Sequence, residues 1–323
     1  MSFFVKNSDN NNISRINFYD GLPINILDVH IEYNNFIIYP INNFSILAVL
    51  CLDYCKIKFY NYDTNEFIGN IKYNRYIGID DFMFTNDGKY LILFSANFKK
   101  NLEIYKIDVI DSNKIIIDNP ISIIISEFFS NCINFYTGEL ILKGIKNILI
   151  FNIENYTEIS YLEYDDLLPS IKYSLPNLLE ISPLGNLLAY EYFSRQETQI
   201  IKIINYTDKK TILQLTMGET ILRSTLKFLN NDENNFVVLT ENEIKVYNIN
   251  SETPLHIFDI SFCLYSIDID IFYSDFDEKN FIIFSNNYNL KIYDLEDYSE
   301  KYTIDEKYPI IRTIKSNSPL QLW

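Results

Sequence analysis

Eight glycines, two histidines, five arginines and one tryptophan are all that 323 residues contain, and each scarcity closes off a class of chemistry. So little glycine leaves no room for a phosphate-cradling loop, and no Walker, Rossmann, Gly-x-Ser-x-Gly or His-Glu-x-x-His pattern occurs. His30 and His256 stand far apart in the chain, each inside an apolar segment, and read as structural residues rather than as a base or ligand. The four cysteines (Cys51, Cys55, Cys132, Cys263) include one close pair, but no second pair or nearby histidine completes a zinc tetrahedron. The start of the chain lacks the basic residues and apolar core of a secretory signal, so the thiols are expected to be reduced in a cytoplasmic setting. No run of eighteen apolar residues is present to span a bilayer. Lys and Arg number 27 against 43 Asp and Glu, a net charge of −16 that repels phosphate and argues against nucleic acid or a membrane surface as partner. Lys99–Lys100 and Lys209–Lys210 are isolated pairs, not a basic patch.

What the chain does have is a repeated strand ending. The copies are RINFYD (15–20), KIKFYN (56–61), NLEIYK (101–106), ILIFN (148–152), IIKIIN (200–205), EIKVYN (243–248) and NLKIYD (289–294). Their equivalent positions, Tyr19, Tyr60, Tyr105, Phe151, Ile204, Tyr247 and Tyr293, are spaced by 41, 45, 46, 53, 43 and 46 residues. A period in the forties with one strand signature each predicts a β-propeller, with one four-stranded blade per repeat. The repeat centred on Tyr105 shows the grammar. Ile79–Phe84 alternates apolar and acidic residues, Asn86-Asp87-Gly88-Lys89 supplies a hairpin turn, and Tyr90–Ser95 is a continuous apolar run before the next strand. The expected blades are about 34–73, 77–125, 129–164, 177–217, 223–260 and 266–305. A composite blade pairs 11–31 with 308–323 and closes one all-β domain over 1–323, making seven blades. The d strand between 106 and 127 is ambiguous, which leaves six or eight open.

The segment FTNDGKYLILFSA (84–96) resembles the strand a, turn and strand b of WD40-type repeats, and KIYD and KFYN resemble that family's strand c ending. Asp53 falls where the family carries its tight-turn aspartate. The motifs are degraded: there is no Gly-His pair, tryptophan occurs only at Trp323, and the terminal Asp persists only at Asp20 and Asp294. The family's hydrogen-bonded tetrad cannot be carried over, so blades held by apolar packing are expected. The resemblance implies a non-catalytic scaffold or adaptor that binds protein partners on the face where the b–c and d–a connections emerge. Neither cofactor nor metal is implied. The richness in Ile, Asn, Lys, Tyr and Phe suits an A/T-rich genome such as that of a large DNA virus or a protist, in which case host cytoplasm or a virion is the setting.

Two connections are enlarged in the sequence, Glu163–Pro176 between strands d and a, and the b–c hairpin Glu191–Thr198. Tyr and Arg, residue types favoured at protein–protein hot spots, recur near these and the other strand a entrances. The candidate partner-binding residues are Arg75, Tyr76, Tyr164, Tyr173, Arg195, Arg223, Tyr265 and Tyr308. Two alternatives stand beside the adaptor reading: a self-associating structural component of a virion or assembly site, and a metal-dependent propeller hydrolase using Asp80, Asp81, Asp268 and Asp270. The acidic stretch Ser266–Glu278 otherwise reads as a wet strand face followed by a turn, since its Asp residues alternate with Ile.

Overall fold

A computed structural model describes residues 2–6, 13–17, 23–27, 36–41, 46–51, 56–61, 63–73, 79–85, 88–95, 101–111, 114–124, 130–134, 137, 139–143, 147–163, 178–193, 198–217, 225–229, 232–240, 243–260, 268–274, 277–285 and 290–304. Among the described residues there are strands and turns and no helix, so no helix is long and apolar enough to cross a membrane. The first sheet runs β1 (Ser2–Lys6), β2 (Ile13–Asn17), β3 (Pro23–Leu27). The second runs β4 (Phe36–Ile41), β5 (Ile46–Cys51), β6 (Lys56–Asn61), β7 (Phe67–Lys72). The third contains β8 (Ile79–Phe84), β9 (Tyr90–Ser95), β10 (Asn101–Asp111), β11 (Lys114–Ile117) and β12 (Ile121–Ile124). The fourth runs β13 (Ser130–Asn134), β14 (Glu139–Lys143), β15 (Asn147–Asn152), β16 (Thr157–Glu163), and the fifth β17 (Leu179–Ile181), β18 (Leu187–Phe193), β19 (Gln199–Asn205), β20 (Thr211–Met217). The sixth runs β21 (Thr225–Leu229), β22 (Asp232–Leu239), β23 (Glu243–Asn248), β24 (His256–Asp259). The last runs β25 (Asp268–Ser274), β26 (Lys279–Ser285), β27 (Leu290–Asp294), β28 (Glu300–Ile304).

Strand position within each sheet follows from residue pattern. The second strands are near-continuous apolar runs and are buried on both faces: Ile46–Val49 in β5 and Leu91–Phe94 in β9 are almost wholly inaccessible. Outer strands alternate instead. In β20 Leu213, Leu215 and Met217 are buried while Ile212, Gln214 and Thr216 are exposed, as a half-buried edge requires.

The expected seven four-stranded blades are corrected by this topology: five sheets have the four-stranded build. The third sheet has five strands because β10 overruns its sheet. Its first half pairs β9 and β12, and its second half turns back on β11, with Ile107 opposite Ile117 and Asp111 opposite Lys114. That hairpin accounts for the ambiguous d strand at 106–127. The N-terminal sheet has three strands, and its first, Ser2–Lys6, belongs to no strand expected from the sequence. The C-terminal partners expected at 308–314 and 319–323 lie outside the described residues.

The chain divides into two compact units, one of Met1–Ser126, Tyr265–Asp270 and Phe281–Trp323, the other of Glu127–Leu264 and Ile271–Asn280. Inside the first, β4 lies beside β8 and β7 beside β11, and Phe59 meets Phe84 edge to face at 6.3 Å. Inside the second, strand a neighbours strand a, β13 beside β17 and β17 beside β21. Apolar clusters fill the spaces between these sheets. Ile141 and Ile148 pack with Leu179, Leu188 and Tyr190, and Phe236 stacks on Tyr247 at 5.4 Å within the next layer.

Candidate interaction surface

The recurrent signature is a turn-forming device. Asn61 Oδ1 accepts hydrogen bonds from the backbone N–H groups of Asp63 and Thr64, at 2.9 and 3.0 Å. Asn152 does the same for Glu154 and Asn155, and Asn205 for Thr207 and Asp208. Asn248 caps Asn250, and Asp294 caps Glu296. A short side chain carrying an acceptor, set at the end of strand c, thus starts each tight c–d turn. Four of these turns finish on a residue with positive φ: Asn65, Tyr156, Lys209 and Tyr298, between 57° and 64°. The c–d pairing slips by one residue at the same step each time, at Phe59/Tyr60, Ile150/Phe151, Ile203/Ile204 and Ile292/Tyr293. Only the copy at 101–106 ends in lysine, which accepts nothing; there the turn does not form and β10 continues.

At the same end of the sheets, the turns joining strands a and b are tied as tightly. Thr85 and Ser182 occupy equivalent places. Each hydroxyl accepts from a backbone N–H, of Tyr90 and Leu187 respectively, and Gly88 and Gly185 follow at positive φ. In the second unit these turns also join neighbouring sheets. Glu233, opening β22, accepts from the Ser182 hydroxyl and from Asn186 Nδ2 at 2.9 Å. Tyr206 donates to Glu139 at 2.6 Å, and Asn134 Nδ2 donates to the Gly185 carbonyl. Lys227 of β21 pairs Glu180 of β17 at 2.9 Å, both largely screened from water. Apolar packing was expected to be the main hold between the sheets; this polar lacing was not foreseen, because its partners lie about fifty to seventy residues apart.

At the other end of the same sheets, where the b–c and d–a connections emerge, charge is buried. Lys143, closing β14, is 3% exposed; Glu191 of β18 and Gln199 of β19 are each 2% exposed. Gln199 Nε2 donates to Glu191 Oε1 diagonally across the strand pair. Burial pushes the Lys143 ammonium down to about 8, against the opposing pull of the Glu191 carboxylate. Sequence reasoning passed over this cluster. The available signal was a charged residue set in or closing a largely apolar strand, Lys143 in ELILK and Glu191 in LLAYEYF.

All eight residues put forward from the sequence (Arg75, Tyr76, Tyr164, Tyr173, Arg195, Arg223, Tyr265, Tyr308) lie outside the described residues, as do His30, Cys55 and Cys263. So does 164–177, the body of the expected insertion. The expected hairpin Glu191–Thr198 is shorter than it reads, because β18 runs through Phe193 and β19 starts at Gln199. His256 sits in β24 with its ring edge-on to Phe258, 4.5 Å between centroids. Among the described residues no three of His, Cys, Asp and Glu cluster as metal ligands.

No protein-family model matches the chain, and no curated protein does. Solved structures do: 1105 chains are similar, so the architecture is widely shared and by itself selects no activity. One is "KlHsv2 with loop 6CD replaced by a Gly-Ser linker", at 10% identity and a TM-score of 0.64, covering 94% of this chain and 99% of that one. Successive antiparallel meanders packed strand a beside strand a, together with this likeness, establish a β-propeller fold consistent with the WD40-like reading.

Proposed function

We propose that this protein is a non-catalytic scaffold that holds protein partners on the end of its sheets where the b–c and d–a connections emerge. The observation that carries the reading is the difference between the two ends of the fourth and fifth sheets. One end is consumed by tight capped turns and inter-sheet hydrogen bonds from Ser182, Asn186, Tyr206 and Asn134. The other is where β16 ends before the longest connection in the sequence, and there Lys143, Glu191 and Gln199 are buried. Long connections on a rigid base are where binding surfaces are usually built. Affinity purification from native cells followed by mass spectrometry, comparing the whole protein with a variant lacking 164–176, tests it. A partner captured by the whole protein and lost with the deletion is the expected outcome; an unchanged partner set removes that end of the sheets from consideration.

A second reading, a self-associating structural component, has its own support. Of the large hydrophobic side chains exposed among the described residues, Phe67, Ile116, Ile121, Ile212, Ile257 and Tyr302 lie on outer strands or on the β10–β11 hairpin. The mass of the purified protein in solution separates the two readings.

A further inference from the structure

The outer edge of a sheet offers unpaired backbone groups to any other strand, and proteins guard such edges with charge, proline or brevity. The described outer strands follow this rule with one exception. β7 ends in Lys72, β16 carries Glu158 and Glu163, β24 ends in Asp259, and β28 carries Glu300 and Lys301. β3 opens with Pro23, and β12 is only four residues long and follows Pro120. β20, Thr-Ile-Leu-Gln-Leu-Thr-Met, has seven residues and neither charge nor proline within it, the nearest charges being Lys209 and Lys210 just before its start. It stands last in its sheet and pairs β19 on its inner side. Leu213, Leu215 and Met217 face inward, and Ile212, Gln214 and Thr216 lie in solvent.

We propose that β20 is the self-association edge of this protein, pairing antiparallel with β20 of a second copy about a two-fold axis through Gln214. The strand is self-complementary about that point. In this register Leu213 stands opposite Leu215 of the second copy, and Ile212 opposite its Thr216. The two Gln214 amides meet, and each can donate to and accept from the other. No charge meets its like anywhere along Thr211–Met217, whereas β16 self-paired about its centre brings four carboxylates, Glu158 and Glu163 of each copy, into the joint. A closed two-fold contact of this kind stops at the dimer. Each chain carries −16, so long-range repulsion opposes the contact and salt strengthens it, because screening shortens from about 10 Å at 0.1 M to about 3 Å at 1 M. The proposal rests on the self-associating reading and is independent of the adaptor reading, which uses the other connections.

The test uses the full chain in sedimentation velocity from low to high micromolar concentration, at low and high salt. The expected result is a monomer–dimer equilibrium that shifts toward dimer as salt rises. Gln214→Lys places two ammonium groups at the centre of the joint and is expected to weaken dimerisation about tenfold or more, with circular dichroism checking that the exposed substitution leaves the fold intact. Gln214→Cys, oxidised, is expected to yield a covalent dimer that wild type, with its own cysteines, does not form. A dimer that persists in Gln214→Lys and is not trapped by Gln214→Cys overturns the β20 edge while leaving self-association standing. A protein that stays monomeric at every concentration and salt overturns both.

Discussion

Removing the Lys143 ammonium is the sharpest probe of the buried charge cluster in the fourth and fifth sheets. Its fall from 10.5 to about 8 means that keeping it charged inside the fold at neutral pH costs about 3 kcal/mol relative to water. Yet that charge is what balances Glu191, which is as deeply buried and is held by Gln199 as well. That attraction offsets only part of the cost, so Lys143→Met, which removes both, is expected to be more stable than wild type at pH 7 by up to about 3 kcal/mol. The sign with pH is fixed. Because the folded value lies below the unfolded one, the unfolded chain holds more protons between about 8 and 10.5, and wild-type stability rises through that window from this group. Lys143→Met does not share that rise, so its advantage shrinks by about 2 kcal/mol between pH 8 and 9.5. Urea unfolding followed by circular dichroism at pH 7, 8 and 9.5 measures both quantities. The double variant Lys143→Met/Glu191→Leu is expected to be at least as stable as the single one, since it also removes the buried carboxylate. A Lys143→Met variant less stable than wild type at pH 7, a difference that does not change with pH, or a double variant less stable than the single would refute the reasoning.

Three other outcomes are expected from the turns. Asn61 is nearly inaccessible and caps two backbone N–H groups, so Asn61→Ala should cost about 1–3 kcal/mol in urea unfolding, while Asn61→Asp costs less because Asp294 does the same work in β27. Gly185 has φ of +74° and an added Cβ would stand 2.6 Å from Asn134 Oδ1, itself buried between sheets. Gly185→Ala should lower stability by about 2 kcal/mol or more, read as a reduced melting temperature. Lys209 holds φ of 61° on an exposed turn, a strain of about 1–2 kcal/mol for a residue with a Cβ, partly offset by the entropy cost of glycine. Lys209→Gly should raise stability by about 0.5 kcal/mol, in contrast to the usual effect of introducing glycine.

Much of the strand layout could be read directly. Ile79–Phe84 and Tyr90–Ser95 are strands with the bounds their patterns give, and the signature marks the third strand of each described four-stranded sheet. The blade count failed at two sheets, the N-terminal one of three strands and the third of five, and in the third the cause is one residue type. NLEIYK was read as a strand ending like its siblings, but Lys106 cannot accept the N–H groups that an asparagine would, and alternation carries on through Asp111. Ser2–Lys6 was missed because a five-residue strand with no preceding turn leaves no periodic trace. The site was harder still. Lys143, Glu191 and Gln199 come together only when two sheets pack, and nothing within either strand encodes a partner about fifty residues away.

The overrunning hairpin has a bearing on how the first unit opens. In a row of sheets that touch only their neighbours, each can in principle detach alone. Here β11 lies against β7 of the preceding sheet, close enough that Ile115 Cγ1 stands 4.0 Å from where a Gly69 side chain would begin. β4 meets β8 at the inner side, so the second and third sheets are joined at both their inner and outer strands. The two should then exchange their amide hydrogens as one cooperative block, with the amides of β7 protected to the same degree as those of β9, although β7 is an outer strand that would otherwise fray first.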